Sequence, residues 1–296
     1  MRVRIAAFDW LLDQVRRYGD VLPRNILAAG FTLGGVRVPL VGPQGIFKPR
    51  ALIGIPLSIT TIPGSPYDDS LEADRLLQYR YRGTDPLHAD NVGLRLAMQR
   101  RVPLVYFHGI VPGKYMAAWP VYVVADDPSR LTFTVAVDDA DHAVLGPTDR
   151  VREPEDDARR RYVTSIVRVR LHQRSFRERV LEAYRRQCAF CNFRHEEMLD
   201  AAHIIPDADA RGEPVVRNGL ALCTLHHSAF DRYFLGVRPD YVIEVRSDIL
   251  AESDGPTLVH AIQALNGRRI FVPKEIALQP DKDLLAMRYD RFREAS

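Results

Sequence analysis

The chemistry-bearing residues of this chain are concentrated between positions 188 and 231. Cys188-Ala-Phe-Cys191 is a C-x2-C pair, and after an interval of 31 residues Cys223-Thr-Leu-His226 supplies a C-x2-H pair, so all three cysteines of the sequence are used. Two such turns present three thiolates and one imidazole, the closed tetrahedral ligand set of a structural Zn2+ ion. One C-x-x-C alone is weak as a signal. Two matched pairs this close together outweigh the blander reading of three buried free thiols beside an incidental histidine.

Between and after those pairs lie Asp200-Ala-Ala-His203-Ile-Ile-Pro206, Asn218-Gly-Leu-Ala-Leu-Cys223 and His226-His227-Ser-Ala-Phe-Asp231. The pattern reads as strand, loop, strand and helix. His203 falls where a strand meets a loop, Asn218 opens the second strand, and His227 and Asp231 are spaced i, i+4 on one helix face, close enough to share a metal ion. A free imidazole next to a nitrogen and oxygen metal site is what phosphodiester hydrolysis requires. The imidazole takes a proton from water, and the ion neutralises charge on the phosphate and the leaving oxygen.

Residues 188–231 resemble an HNH endonuclease of the ββα-metal type. The resemblance implies that His203 is the general base, that Asn218 orients it and fixes the loop, and that His227 and Asp231 hold a catalytic Mg2+ or Mn2+. Many members carry an Asp or His immediately before the base, and Ala202 stands there in this sequence. Two arrangements follow: Asp200 reaches in as a further ligand, or two protein ligands share the ion with phosphate and water.

These residues need elements to hold them, and the chain is long enough for two domains. It has 296 residues, and its 46 % hydrophobic and 27 % charged composition is that of a chain that buries a core, which excludes a largely unfolded protein. No apolar run approaches membrane-spanning length, and Met1 to Trp10 lacks the pattern of a cleaved leader, so a soluble, cytoplasmic protein without membrane contact is expected. Val3 to Tyr18 carries Ile5, Phe8, Leu12 and Val15 at helical spacing, and a short second helix is expected from Pro23 to Ala29. Short apolar runs then alternate with Gly and Pro: Val36 to Val41, Leu52 to Ile59, Leu76 to Tyr81, Leu104 to Val111, Tyr115 to Val124 and Leu131 to Val137. They predict a strand-rich domain. Asp138 to Asp157 is acidic and holds Gly and Pro, the best boundary, and an arginine-rich segment follows it. Such a cluster suits phosphate, although a solvated helix face has the same composition. A helix from about Gln173 to Arg186 leads into the cysteines, and a mostly extended end is expected after a helix at Pro256 to Leu265.

The strand-rich half contains Tyr67-Asp68-Asp69, Tyr79-Arg80-Tyr81-Arg82-Gly83, Asn91 to Met98 and Phe107-His108-Gly109. Aromatic faces stack on any base and a carboxylate accepts from an exocyclic amine, so such a set can hold a base extruded from a duplex. Ordinary strand aromatics facing a core have the same composition. In order and spacing the run resembles the SRA domain, a modified-cytosine reader of the PUA-like barrel group, with Phe-His-Gly where that family has Tyr-Asp-Gly. The resemblance implies a pocket in which Tyr67 and Tyr81 sandwich the flipped base and Asp69, or Asp68, reads its polar edge. Arg95, Arg100 and Arg101 are candidate phosphate contacts.

The resulting fold class is α+β: residues 1–150 an SRA-like barrel with flanking helices, 151–172 a basic linker, and 173–296 a zinc-stabilised HNH domain. The expected function is a modification-dependent endonuclease on double-stranded DNA, reading 5-methyl- or 5-hydroxymethylcytosine by base flipping. The alternatives are an HNH nuclease specific for an unmodified sequence and a non-catalytic modification-binding protein. With one active site per chain, cutting both strands calls for a homodimer or for sequential nicking.

Overall fold

Helix α1 (Arg2–Tyr18) opens the chain and stops at Gly19, whose φ of 78° lies in the left-handed region. Its buried stripe is Arg4, Ala7 and Leu11, while Ile5 and Leu12 are exposed. The apolar spacing therefore points one residue away from the face that packs. Arg4 explains the shift: it donates to the carbonyls of Pro103 (3.0 Å), Ile55 (3.2 Å) and Pro56 (2.7 Å), and so docks the helix through hydrogen bonds.

The computed structural model describes residues 1–61, 76–138 and 154–295. It divides into two compact units, Met1–Leu171 and His172–Ser296. Tyr67, Asp68, Asp69 and most of the acidic boundary lie outside the described residues. No helix among those described is long and apolar enough to cross a membrane.

The first unit continues through β1 (Val21–Pro23), α2 (Arg24–Ala29), a hairpin of β2 (Phe31–Leu33) and β3 (Val36–Val38), then β4 (Ile46–Phe47), β5 (Ser58–Thr60) and β6 (Leu77–Arg80). Helix α3 (Ala89–Gln99) precedes three longer strands, β7 (Leu104–Val111), β8 (Lys114–Asp127) and β9 (Thr132–Val137). Strand order is β4-β5-β7-β8-β9-β6, with β1 also paired to β8 and with β5 and β7 parallel. The expected run from Leu52 to Ile59 is a strand only at its end, because Gly54 turns the backbone at φ 77° and Pro56 has no N–H to give a ladder.

The expected closed barrel is corrected to a curled half-barrel sheet. Among the described residues β4 and β6 are edges and do not pair with each other. The curl is visible in side chains: Tyr79 on β6 sends its hydroxyl to the carbonyl of Thr60 on β5, 3.3 Å away, and a Cβ on Gly45 would lie 2.9 Å from that hydroxyl. Leu94 and Ala97 of α3 fill the concavity against Val121 and Phe133.

Helix α4 (Pro154–Ala183) takes in most of the basic segment, beginning about 20 residues before the expected Gln173. In the second unit its Phe176, Val180 and Leu181, with Tyr184 just after it, pack on a hairpin of β10 (Leu199–His203) and β11 (Gly219–Cys223), followed by α5 (Thr224–Asp231). A second hairpin, β12 (Leu235–Val237) and β13 (Ile243–Val245), precedes α6 (Ser247–Ala251), α7 (Pro256–Ala261) and α8 (Lys282–Glu294). The extended end expected from the sequence is thus corrected to a helix. Asp281 caps it by accepting from the backbone N–H groups of Asp283 (2.9 Å) and Leu284 (3.4 Å), and Leu285, Arg288 and Phe292 form its buried stripe.

Candidate active site

The four ligand atoms of Cys188, Cys191, Cys223 and His226 lie within 4.8 Å of one another. The Cys188–Cys191 turn is held by backbone bonds: Cys188 N–H donates to Phe193 O, and Asn192 N–H returns to Cys188 O. Nδ1 of His226 faces the sulfurs of Cys188 (3.4 Å) and Cys223 (3.3 Å), and Nε2 is 2.8 Å from the carbonyl of Ala261, at the end of α7. That second contact fixes the ring with Nδ1 directed at the cluster, as an outer partner of a metal-bound histidine does. Hydrogen bonds with Cys188 and Cys223 push the Cys191 thiol up, and hydrogen bonds with Cys188 and Cys191 push Cys223 down. Zn2+ takes thiolate sulfur and neutral imidazole as its ligands, so the donor set fits Zn2+.

His203 ends β10 opposite Gly219, the first residue of β11. Its ring stacks on Phe176 of α4 at a centroid distance of 4.0 Å and an interplanar angle of 17°. Gly219 makes that stack geometrically accessible. A Cβ there would lie 2.6 Å from Val180 Cγ2 and 2.9 Å from Phe176 Cζ. Gly219→Ala is therefore expected to push Phe176 off the imidazole, costing about 1–3 kcal/mol of stability through overpacking. It should slow cleavage while zinc content stays intact. Thermal melting, zinc analysis and the cleavage rate check this, and an unchanged rate in a destabilised protein would show that the stack on His203 has no part in cleavage.

Asn218 is fully buried in the turn immediately before β11. Its side-chain oxygen accepts from Ile205 N–H (2.8 Å), and its Nδ2 donates to the carbonyls of Ile205 (2.9 Å) and Glu213 (3.0 Å). With its backbone carbonyl accepting from Ile204 N–H (2.9 Å), one asparagine ties both ends of the loop that follows His203.

On α5, His227 and Asp231 meet as their spacing requires, with Nε2 to Oδ2 at 3.3 Å. The other ring nitrogen, Nδ1, lies 3.6 Å from Asp200 Oδ2. Hydrogen bonding to Asp231, aided by the charge of Asp200, raises the His227 pKa against the effect of burial. Burial alone would raise Asp231, but His227 and the nearby arginines outweigh it and hold its carboxyl below the usual range. Two ligands bound side by side on an octahedral ion at about 2.1 Å each stand about 3 Å apart, so the Nε2 and Oδ2 pair fits a hard divalent ion. Asp200 faces the opposite nitrogen, and a single imidazole nitrogen ligates a given ion, so the Asp200 and Asp231 sides are alternative seats. Ala202 is buried, and Asp200, two residues before it, shares its side of the strand and is half-exposed.

In the first unit Tyr81 is 6 % exposed and its ring stacks on Phe133 at 4.5 Å. Its hydroxyl bonds to Asp126, and Arg95 donates to the same carboxylate (2.6 Å) and to Tyr81 (3.1 Å). As placed, Tyr81 offers no open face and Arg95 is committed within the fold. Arg100 and Arg101, at the C-terminal end of α3, are exposed.

Two charged residues around the site were not singled out from the sequence. Arg177 of α4 lies 3.5 Å from Asp200 and donates to Leu199 O (2.8 Å); Arg288 of α8 lies 3.6 Å from Asp231. Arg177 lies in an arginine-rich helix and Arg288 far beyond the motif in sequence, and neither has a spacing that marks it.

The family model of the HNH endonuclease matches residues 188–238, so this stretch is an HNH endonuclease domain. No curated protein matches the chain. The solved structures that are similar at a low level include two restriction endonucleases. One is the modification-dependent TagI restriction endonuclease, 16 % identical over 94 % of this chain and 89 % of that one, with a TM-score of 0.29. The other is the type IV phosphorothioation-dependent restriction endonuclease ScoMcrA, 15 % identical over 81 % of this chain and 59 % of that one, with a TM-score of 0.22. At such TM-scores neither overall arrangement transfers to this chain.

Proposed function

We propose that the protein is a metal-dependent DNA endonuclease whose second unit hydrolyses phosphodiester bonds and whose first unit selects DNA carrying modified cytosine. The observation that supports the nuclease reading best is the joint geometry of the HNH domain. Asn218 ties down the loop after His203, and the neighbouring helix carries a half-exposed His227 and Asp231 pair 3.3 Å apart. In this reading His203 takes the proton from the attacking water, and its ring orientation is set by Phe176. His227 Nε2 and Asp231 hold Mg2+ or Mn2+, which supplies neutralisation of the phosphate and leaving oxygen. Asp200, on Nδ1, orients the imidazole as carboxylates do behind metal-bound histidines. The Cys188, Cys191, Cys223 and His226 cluster holds Zn2+ for stability.

The modified-cytosine reading rests on the resemblance of Ser65 to Pro120 to the SRA domain. Tyr67 and Asp68 or Asp69 form the pocket, and a role for Tyr81 as a second stacking face requires its stack on Phe133 to open. Arg100 and Arg101 are the accessible phosphate contacts. Cutting both strands calls for two copies of the chain or two successive nicks.

Cleavage of plasmid carrying cytosine, 5-methylcytosine or 5-hydroxymethylcytosine, with and without Mg2+ or Mn2+, tests the whole reading. Cleavage should require the added ion. A substituent on a flipped base is worth about 1–3 kcal/mol of discrimination, so modified plasmid should be preferred by roughly ten- to two-hundred-fold. Equal cleavage of all three would remove the modified-base reader and leave a nuclease specific for unmodified sequence. Binding to modified plasmid without any cutting would remove the nuclease.

A further inference from the structure

Arg288 is 6 % exposed in the buried stripe of α8, where an apolar residue would dock the helix at lower cost. Its surroundings are specific. Nη1 donates to the carbonyl of Ile204 (3.2 Å), the residue after His203, and Nη2 donates to the carbonyl of Phe230 (2.8 Å), the residue before Asp231. The guanidinium lies 3.9 Å over the Phe230 ring and 5.0 Å from that of Tyr233. Nε is buried with no hydrogen-bond partner among the described residues, so the group is not fully compensated for leaving water. Burial accordingly lowers its pKa.

The planar fork therefore spans the two halves of the site. One arm holds the backbone at the end of the base's strand, and the other holds the end of the helix that carries His227 and Asp231. Nη2 also stands 3.6 Å from Asp231 Oδ1, beyond a hydrogen bond, while Oδ2 faces His227. Asp231 is thus steered by charge with its oxygens left available as ligands. We propose that Arg288 is a positioning residue of the nuclease site that sets the separation between His203 and the His227–Asp231 pair. The proposal rests on the nuclease reading of that pair. A lysine keeps the charge but loses the two-armed geometry, and a methionine keeps apolar bulk and loses both.

The test is calorimetric titration of Mn2+ into the full-length, zinc-loaded protein, beside zinc analysis and thermal melting. The variants are Arg288→Lys, Arg288→Met, Arg291→Ala and His227→Ala. Arg291 is the control because it ties the same helix to the same loop, through Asp209 at 2.9 Å, without approaching Asp231. Arg288→Lys should keep its zinc and bind Mn2+ about 10-fold or more weakly, the usual loss for an outer partner of a metal site, while Arg291→Ala leaves the affinity unchanged. A role through charge alone gives the reverse ranking, with Lys silent and Met binding Mn2+ more tightly, and that result overturns the proposal. It is overturned equally if Arg291→Ala weakens Mn2+ binding as much as Arg288→Lys, or if both Arg288 variants lose zinc and cooperative melting. Mn2+ binding that survives His227→Ala unchanged refutes instead the metal-site reading on which the proposal stands.

Discussion

Replacing His203 with alanine is expected to slow DNA cleavage about a hundred- to ten-thousand-fold, the contribution of a positioned general base, with zinc content and DNA affinity retained. The separation of effects follows from what each group touches. His203 ends β10 beside Phe176, whereas the zinc ligands lie at the opposite end of the same hairpin, where Leu199 pairs with Cys223. If His203 is the base, as proposed, removing the imidazole takes away assistance that exists only in the transition state, so the rate at saturating DNA should fall while binding does not. His203→Asn serves as a second variant, because it fills more of the space beside Phe176 and guards against collapse of the loop. Single-turnover cleavage, filter binding and zinc analysis on both variants check the assignment. Cutting at the parent rate by either folded variant would remove His203 from the chemistry.

The site was far more legible in the sequence than the scaffold around it. Cysteines and histidines at fixed short spacings mark the cysteine–histidine cluster, the strand end and the helix pair, because spacing encodes the local geometry that brings such residues together. The supporting shell carries no such mark. Phe176 reads as one apolar residue in an arginine-rich helix, and Gly219 gains its meaning only from lying across the ladder from His203. Helix α8 carries no clear apolar stripe in the sequence because one of its buried positions is Arg288, and the apolar spacing of α1 points one residue off its buried stripe because Arg4 occupies it. In both helices a guanidinium packs inward by donating to backbone carbonyls, so hydropathy periodicity points to the wrong face or to none. The closed barrel expected of the first unit failed differently. Strand content is visible as apolar runs, but closure depends on pairing between β4 and β6, which are far apart in sequence, and the Tyr79 hydroxyl of β6 meets the carbonyl of Thr60 on β5 instead.

Removal of zinc is expected to unfold the HNH domain while leaving the first unit folded. The four ligands tie together the knuckle at Cys188, the end of β11, the start of α5 and, through His226 and Ala261, the end of α7. Binding of a structural zinc ion is worth about 10–16 kcal/mol in zinc-finger peptides, against a total stability of about 5–15 kcal/mol for a typical domain. Loss of the ion therefore exceeds what packing around Phe176, Val180 and Leu222 can hold alone. The two tryptophans, Trp10 and Trp119, both lie in the first unit. Chelation, or Cys191→Ser, should then abolish the helical signal of residues 172–296 in circular dichroism with little change in tryptophan emission, and metal analysis of the parent should find about one zinc per chain. Adding Mg2+ to the stripped protein should not restore the fold, because a hard ion does not replace zinc on three thiolates. Returning Zn2+ should restore it, with cleavage still waiting on Mg2+ or Mn2+ at His227 and Asp231. A zinc-free protein that keeps its full helical signal and its cleavage would show that the cysteine cluster is dispensable.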